Sequence, residues 1–322
     1  MISIVIPTYN GAVLLRDCLD SIFRQSFMEF EVTVVDNNST DLSHEVFAEF
    51  KGRITVIGLE ENKGFGSAVN RGIARSTGDL ILVLNNDTAL HSDCLREIAA
   101  AAERHRDYSF FAPKICEYGN VERIYAAGLM FSTRGYGNRS QREELQGVSA
   151  PREVFGACGA AAVYRREVLD EVGLFNEAFF FLYEDLELSF RHQLRGHKCL
   201  YLPSAVISHH GSATLRHYFS AAAKEGIKNS LITLISCAPA PFLRRHWREV
   251  SRFYLRFWLA FIRRGFAPEL CEALLGVGGK LHWVLRRRKT LQADSRIDLS
   301  HFNSLLYDGV IRVNFPSGPV EL

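Results

Sequence analysis

The chain has 322 residues, of which 47% are apolar and 23% are charged, and its net charge is +2. These are the values of an ordinary globular protein with room for one large domain and a substantial appendage, and so small a charge gives no reason to expect a nucleic-acid partner. The seven cysteines are scattered singly, which excludes a disulfide framework or a zinc site and predicts reduced, mostly buried thiols in a cytoplasmic chain.

The first half of the chain alternates strand patterns with helical ones. Met1 leads into the first strand without the features of a signal peptide. Predicted strands cover residues 2–6, 31–35, 54–58 and 80–84, and predicted helices cover 12–25, 43–50 and 67–76. Apolar strands interleaved with helices predict a mainly parallel sheet covered on both faces, and in such sheets ligands bind at the carboxyl ends of the strands.

The second half is less regular at first and then helical. Residues 113–155 contain several glycines and predict β-hairpins or a mobile loop. A strand at 160–164, helices at 166–172 and 186–194, and extended segments KCLYL and AVISHH follow. After about residue 215 the pattern is helical through Arg288, and weak strand signals end the chain. We therefore predict a catalytic domain at 1–215 and a mainly helical region at 216–322.

Two polar clusters follow the first two strands. Pro7, Thr8 and Tyr9 end the first strand, and Asp36 opens the cluster Asp-Asn-Asn-Ser-Thr-Asp after the second. A carboxylate at Asp36 can accept a hydrogen bond from the imide N–H of a base, while its polar neighbours, Asn38 among them, reach a ribose. In isolation such a cluster is more often a turn and a helix cap.

Two further clusters suit a diphosphate and a metal ion. Lys63 and Gly64 lie in a loop that runs into a helix, where glycine allows close approach and the helix N-terminus favours anions. The loop lacks the spacing of a Walker A motif. Asn85, Asn86 and Asp87 end the apolar strand LILVL. One carboxylate with diphosphate oxygens and water suits Mg²⁺ or Mn²⁺, although Asn and Asp also favour strand-ending turns.

Acids and histidines stand out downstream. Glu184 and Asp185 open a helix after an aromatic run, and the helix dipole explains one of them. A carboxylate in partly apolar surroundings can act as a general base on a sugar hydroxyl. His209 and His210 precede a glycine turn, and one imidazole could complete a metal site, although a lone histidine is more often structural. Glu187 and Arg191, four residues apart, predict a surface salt bridge.

Together these clusters resemble the family 2 glycosyltransferases, which have the Rossmann-like α/β GT-A fold. The similarity covers roughly residues 2–215, and within the family the chain is most similar to bacterial rhamnosyltransferase-like members that build surface polysaccharides. Six motifs carry it in the family's order: IVIPTYNG, VVDNNSTD, NKGFGSAVNRGI, LNNDT, FGACGAAAVYRREVLDEVGLFNEAFFFLYEDLELSFR and VISHHGSAT.

The resemblance implies a role for each candidate residue. Asp185 matches the base of an inverting reaction, with Glu184 as its neighbour. Asp87 matches the last acid of the metal motif D-x-D, and His209 matches a late histidine near the metal, with His210 as the alternative. The departure is Asn85, which replaces the first acid and leaves the metal one carboxylate. The implied donor-binding residues are Pro7, Thr8, Tyr9, Asp36, Asn38, Lys63, Gly64, Asn85 and Asn86.

The implied reaction moves a sugar, rhamnose in the most similar members, from a UDP- or dTDP-sugar to a glycan or polyprenyl-linked acceptor. Two alternatives stay open. A sugar-nucleotidyltransferase would need a basic, glycine-rich loop directly after the first strand, where this chain has PTYNG. A catalytically idle scaffold of the same fold would not need the acids at Asp36, Asp87 and Asp185.

The C-terminal third concentrates the basic charge. Arg248, Arg252 and Arg256 recur every four residues among aromatic side chains, which predicts either an interfacial membrane helix or a packed helix with a solvated basic edge. A second basic block, residues 286–289, favours contact with an anionic membrane surface on its cytoplasmic side. The uncharged stretch 229–243 is shorter than the roughly twenty residues of a spanning helix.

Overall fold

The computed structural model describes residues 1–140, 148–211 and 219–322. The centre of the segment predicted as hairpins or loop, the Ser-Ala-Thr end of the last motif and the domain boundary predicted at residue 215 lie outside them. Contacts divide the chain into two compact units. The first unit comprises Met1–Leu129, Arg139–Phe180 and His197–Gly211; the second comprises Met130–Asn138, Phe181–Gly196 and Ser212–Leu322.

The first unit is built on one large sheet. Its strands pair in the order β10-β12-β6-β11-β4-β1-β2-β3, with β5 beside β12 and β7 beside β6. The strands are β1 (Ile2–Thr8), β2 (Phe30–Asp36), β3 (Thr55–Gly58), β4 (Leu80–Leu84), β5 (Thr88–Leu90), β6 (Phe110–Glu117), β7 (Asn120–Ala126), β10 (Arg152–Val154), β11 (Ala161–Arg165) and β12 (Cys199–His209).

The described residues of this unit also form the helices α1 (Ala12–Phe23), α2 (Ser43–Glu49), α3 (Phe65–Arg75), α4 (Cys94–Arg104) and α5 (Arg166–Val172). The apolar side chains of α1 that showed helical spacing, Leu15, Leu19 and Ile22, are fully buried in the core. They pack with Ile4 and Ile6 of β1, which confirms the predicted amphipathic helix.

The order of the parallel strands places a ligand crevice between β1 and β4. Strands β3, β2, β1 and β4 all run parallel, and the chain crosses from one side of β1 to the other when it reaches β4. In a doubly wound sheet this reversal opens a crevice at the carboxyl ends of the two strands. Thr8 and Asn85 stand at those ends, as the sequence predicted.

The far half of the sheet contains antiparallel strands, and its described part bears out the hairpins predicted within residues 113–155. Strand β11 runs antiparallel to β4 and β6, and β10 runs antiparallel to β12, so this half is mixed. The described part of 113–155 is rich in strands, with β6 and β7 forming an antiparallel pair. The physical reason is that the described residues between β6 and β11 form strands and no helix, and a tight turn joins β6 to β7, so no helix crossover makes β11 parallel to β6.

The second unit is mainly helical. Its helices are α6 (Glu184–Leu194), α7 (Phe219–Cys237), α8 (Ala240–Arg263), α9 (Ala267–Gly279), α10 (Leu281–Ala293) and α11 (Leu299–Ser304). Its strands are β8 (Leu129–Ser132), β9 (Gly137–Arg139), β13 (Leu306–Tyr307), β14 (Arg312–Phe315) and β15 (Gly318–Glu321). Helix α7 packs against α6, α9 and α10. Among the described residues, no helix is both long and apolar enough to span a membrane.

A buried ion cluster corrects the predicted surface salt bridge. Glu187 of α6 is fully buried, and it accepts from Nε of Arg191 at 3.0 Å and from Arg287 of α10. Burial alone would raise the pKa of Glu187, but the attraction of Arg191 and then of Arg287 outweighs it and lowers the pKa. The second cation explains the burial, because a carboxylate shared by two guanidinium groups keeps its charge compensated.

The predicted basic block at 286–289 is also partly used inside the unit. Arg287 binds Glu187, and Arg288 donates to the carbonyl oxygens of Ile235 and Ala238 at 2.7 and 2.8 Å. Arg288 therefore satisfies carbonyl groups left open at the C-terminal end of α7. Two of the four basic side chains of the block are thus committed to packing, and the block is weaker support for a lipid surface than its sequence suggested.

Most of the cysteines are buried, as the sequence predicted. All seven are free, five are buried, Cys158 is half-buried and Cys271 is exposed.

Candidate active site

The loops after β1 and β2 are tied to each other. The side chain of Asn10 accepts from the backbone N–H of Thr40 at 2.7 Å, and the hydroxyl of Ser39 accepts from the N–H of Asn10 at 3.0 Å. Asn10 and Asn38 have φ of 49° and 69°, a left-handed conformation that asparagine tolerates well. The first two polar clusters therefore form one structure at the carboxyl edge of the sheet.

Asp36 has the turn-forming role that the sequence offered as one of two alternatives. It is 4% exposed, and its Oδ1 accepts from the N–H of Ser39 at 3.0 Å, which is the turn-forming role. The next residue, Asn37, accepts from the N–H of Lys63 and donates to the carbonyl of Gly64. The cluster at Asp36 and the glycine loop are thereby held together.

Asn86 is fixed to the end of β1. Its Nδ2 donates to the hydroxyl of Thr8 at 2.9 Å across the crevice between β1 and β4. A Cβ on Gly11 would lie 2.3 Å from the same Nδ2, so a side chain at Gly11 would displace Asn86. Pro7 and Thr8 are buried in this edge, while Tyr9 is 50% exposed. The pairing assigns Asn86 a structural role here.

The glycine loop closes on the segment before the acidic pair. Gly64 has φ of 82°, and a Cβ there would lie 2.2 Å from the carbonyl oxygen of Phe180. Only glycine tolerates both the conformation and the approach. The N–H of Phe65 donates to that carbonyl at 2.9 Å. Lys63 is exposed at the loop and lies 3.6 Å from Glu61, a weak pair that leaves its ammonium open to an anion.

Asp87 and His209 meet as the resemblance implied. Oδ1 of Asp87 lies 3.0 Å from Nε2 of His209, and the histidine side chain is 5% exposed. The antiparallel pairing of β5 with β12 sets Thr88 opposite His209, and the N–H of His210 donates to the carbonyl of Asp87 at 3.0 Å. The backbone thus fixes the two side chains, and His209 is the histidine of the pair that approaches Asp87.

The contacts of this pair fit a divalent ion. Nδ1 of His209 is buried without a hydrogen-bond partner in the described part of the chain. The buried Oδ1 of Asp87 has Nε2 of His209 beside it and no other polar partner there. Oδ1 of Asp87 and Nε2 of His209, 3.0 Å apart, are an oxygen and a nitrogen donor that could both bind one divalent ion. The described residues hold no group of three or more metal-binding side chains, so this pair offers two ligands.

Two aromatic side chains surround the histidines. The ring of Tyr125 packs edge-on against His209 at 4.5 Å, and the guanidinium of Arg139 lies 3.9 Å from the centre of the Tyr125 ring. His210 stacks on Tyr118 at 3.6 Å. These contacts fix the imidazole planes, and Tyr125 is a residue that sequence analysis missed because it lies in the irregular middle segment, far from any motif.

In the second unit, the acidic pair follows a strained turn. Leu182 and Tyr183 have φ of 67° and 72°, an unusual conformation for two successive side-chain-bearing residues. Nδ2 of Asn229, a fully buried residue of α7, donates to the carbonyls of Phe181 and Leu182 at 3.1 and 2.9 Å. Asn229 therefore holds the turn from which Glu184 and Asp185 begin α6.

Sequence analysis missed Asn229 as well. Its one signal was a carboxamide within the apolar pattern of a helix, a position where a polar group needs a specific partner. The partner lies more than forty residues earlier in the chain.

Glu184 is a carboxyl group kept from ionising. It is 8% exposed, and its Oε2 has no hydrogen-bond partner among the described residues. Burial, followed by repulsion from Asp185, raises the pKa of Glu184 to about 8. At neutral pH Glu184 therefore keeps its proton, next to the half-buried Asp185.

The raised pKa predicts a pH-dependent penalty on stability. In the unfolded chain Glu184 ionises above pH 4.5, whereas in the folded protein it keeps its proton up to about pH 8. The free energy of unfolding therefore falls as pH rises through this window, and the full penalty is present above it. We expect Glu184→Gln to be more stable than the parent by a few kcal/mol at pH 9, and by less at pH 6.

Urea unfolding of both proteins at the two pH values measures this effect. Exposed Glu103→Gln is the matched control and should leave the pH dependence unchanged. Parallel pH profiles of Glu184→Gln and the parent would contradict the raised pKa.

Comparison with known proteins identifies the sequence family to which the chain is similar. The sequence model described as Glycosyl transferase family 2 matches residues 3–173. A PGL/p-HBAD biosynthesis glycosyltransferase of Mycobacterium bovis is 33% identical over 181 residues, which cover 55% of this chain and 63% of the relative. The O-antigen biosynthesis protein RfbC of Myxococcus xanthus is 27% identical over 229 residues, 67% of this chain and 18% of that protein.

Solved structures show the same fold at low sequence identity. GalNAc-T7, crystallised with UDP, GalNAc and Mn²⁺, matches 73% of this chain and 48% of its own at a TM-score of 0.59 and 19% identity. The mannosyltransferase PcManGT of Pyrobaculum calidifontis, with GDP-Man and Mn²⁺, matches 87% of this chain and 75% of its own at 0.51 and 17%. With the mostly parallel sheet described above, these likenesses confirm the predicted α/β fold.

Proposed function

Because the chain belongs to glycosyl transferase family 2, we propose that it transfers a sugar from a nucleoside-diphosphate donor to a hydroxyl group of an acceptor. The observation that carries the proposal is the pair Asp87–His209 at the carboxyl edge of the sheet, beside the crevice between β1 and β4. A ligand pair at the place where doubly wound sheets bind nucleotides suits a metal-assisted nucleotide sugar.

The proposed roles follow the geometry of the first unit. Asp36 and its neighbours bind the base and ribose, and Lys63 and the loop at Gly64 approach the diphosphate. Asp87 and His209 hold Mg²⁺ or Mn²⁺, which when bound neutralises charge on the diphosphate. The Mn²⁺ seen with GalNAc-T7 and PcManGT supports a divalent ion, because those proteins share the fold.

Asp185 is the proposed base of an inverting displacement. The acceptor oxygen forms a bond to the anomeric carbon as the bond from that carbon to the diphosphate oxygen breaks. The electron pair of the broken bond leaves with the nucleoside diphosphate, and Asp185 takes the acceptor proton. Because Glu184 stays protonated at neutral pH, Asp185 is the member of the pair able to accept a proton.

The finer proposal concerns the substrates. We infer a UDP- or dTDP-sugar, with rhamnose as the sugar, and a glycan or polyprenyl-linked acceptor in cell-surface polysaccharide synthesis at the inner face of the membrane. The names of the Mycobacterium and Myxococcus relatives, in PGL/p-HBAD and O-antigen biosynthesis, support this class of product. The residues at Asp36 fit either uracil or thymine, because both bases present the same imide N–H.

Thermal unfolding with a panel of nucleotide sugars tests the donor. A donor at one hundred times its Kd should stabilise the protein by about 2.7 kcal/mol, which raises Tm by roughly 5 °C, and the rise should require Mn²⁺. Hydrolysis of that donor in Mn²⁺ separates an enzyme from an idle scaffold. Stabilisation by a nucleoside triphosphate together with a sugar phosphate, and by no nucleotide sugar, would instead favour a nucleotidyltransferase.

A further inference from the structure

We propose that the outer face of α8 is a binding surface for an anionic lipid membrane. The outer face comprises Arg244, Arg245, Trp247, Arg248, Arg252, Leu255, Arg256, Leu259, Ile262 and Arg263, which alternate basic and apolar side chains over six turns. The inference deepens the proposed function, because a lipid-linked acceptor would be bound at this membrane surface. Only the identity of the acceptor rests on the proposed function, and the surface itself is argued independently.

The helix has two faces of different character. Its inner face is aromatic and packed within the second unit: Phe253 and Phe257 lie 5.2 and 5.8 Å from the ring of Tyr136. Tyr254 donates its hydroxyl to the carbonyl of Gly135. Packing on this side anchors α8 and leaves its basic edge exposed, as the alternative of a packed helix predicted.

The outer face exposes large apolar side chains. Trp247, Leu255, Leu259 and Ile262 are 58%, 59%, 39% and 50% exposed. Leu255, Leu259 and Ile262 lie at spacings of four and three residues, so they form one stripe along the helix. A single exposed leucine is ordinary, whereas a stripe on an anchored helix indicates something that covers it.

The arginines beside the stripe form no ion pair among the described residues, and Arg248 lies 5.3 Å from the centre of the Trp247 ring on the same helix. The helix carries six arginines and one acid, Glu249. In the described part of the chain, none of the six has an acidic partner within ion-pair distance, and all six are exposed. This contrasts with Arg287 and Arg288, which are committed to packing. The positive charge of α8 is therefore available to a partner.

The combination favours a membrane over other occupants. A second copy docking through the same face would bring like charges together in a two-fold interface, which is costly. A nucleic acid would satisfy the arginines but not the aliphatic stripe, because leucine and isoleucine contact neither phosphates nor stacked bases well. An anionic bilayer satisfies both, since the stripe enters the headgroup boundary while long arginine side chains reach the phosphates.

Flotation of the full-length protein with liposomes tests the proposal. We expect binding to vesicles of phosphatidylglycerol mixed with phosphatidylcholine, and little binding to phosphatidylcholine alone. The triple variant Leu255→Ser, Leu259→Ser, Ile262→Ser should lower the partition coefficient at least tenfold. The triple variant Arg248→Gln, Arg252→Gln, Arg256→Gln should lower it about fivefold per arginine, with a weaker dependence on salt.

Matched controls remove equal numbers of exposed groups from the first unit. They are Met28→Ser, Val56→Thr, Val121→Thr for the apolar set and Arg75→Gln, Arg104→Gln, Arg106→Gln for the basic set, and both should bind like the parent. Equal binding by the parent and the Leu/Ile variant, or no binding by the parent, would overturn the proposal. A dimer that this variant converts to a monomer, measured by light scattering, would show that a second copy covers the face.

The lipid result is independent of the proposed reaction. Donor hydrolysis in solution, without lipid or acceptor, should be the same in the parent and both α8 variants, because α8 carries none of the proposed donor residues. Loss of flotation with normal hydrolysis therefore concerns the surface, and absence of hydrolysis with normal flotation concerns the reaction.

Discussion

Asp185→Asn should lower kcat by about two to four orders of magnitude while the Kd of the nucleotide sugar changes little. The amide has almost the same volume as the carboxylate but cannot accept the proton of the acceptor hydroxyl. Donor binding is assigned to residues of the first unit, whereas Asp185 lies in the second. Pre-steady-state turnover and calorimetric titration of the donor measure the two quantities on one preparation.

Two companion variants sharpen this test. Asp170→Asn, an exposed change on α5, should leave kcat unchanged. Glu184→Gln keeps an uncharged group where the carboxyl is already protonated at neutral pH, so it should retain far more activity than Asp185→Asn. If Glu184→Gln lost more activity than Asp185→Asn, Glu184 would be the base and the assignment would be reversed.

Asp87→Ala should abolish the effect of Mn²⁺ on donor binding. Asn85 stands where the family motif has its first acid, so Asp87 is the carboxylate that remains in this motif. Without it, an ion at this edge would keep His209 and lose its charged ligand. We expect the donor Kd in Mn²⁺ to rise to its value in EDTA, a loss on the order of 100-fold.

Calorimetric titration of the donor in Mn²⁺ and in EDTA measures the change. His209→Ala should weaken the response to Mn²⁺ less than Asp87→Ala does, because imidazole supplies a lone pair without a charge. Asp107→Ala, an exposed acid outside the candidate site, is the matched control. An undiminished response to Mn²⁺ in Asp87→Ala would remove Asp87 from the metal site.

The sequence predicted those parts of the fold that local pattern determines. Buried parallel strands are continuous apolar runs, so β1, β2 and β4 could be recognised, and the polar residues at their ends follow directly. The resemblance supplied the pairing of Asp87 with His209, which are more than one hundred residues apart. No local pattern could have joined them.

The rest depends on contacts that a sequence does not display. The spacing of Glu187 and Arg191 predicted an ion pair, but its burial follows from Arg287, one hundred residues away. A parallel strand and an antiparallel strand would carry the same apolar pattern. The antiparallel direction of β11 could therefore not be predicted, since it follows from the path of the chain after α4. The left-handed turn at Leu182 was invisible because neither it nor Tyr183 is a residue type that favours that conformation.

The turn at Leu182 and Tyr183 limits how segments can be exchanged between related enzymes. The start of α6 lacks a side-chain cap, so the direction of its acidic end depends on a carboxamide carried by α7. The family match ends at residue 173, before either helix. A chimaera joined at that boundary would take α6 and α7 from the same parent, whereas one joined between the two helices would place the acids on a foreign support. Recombination between relatives should therefore preserve activity only where α6 and α7 come from the same parent.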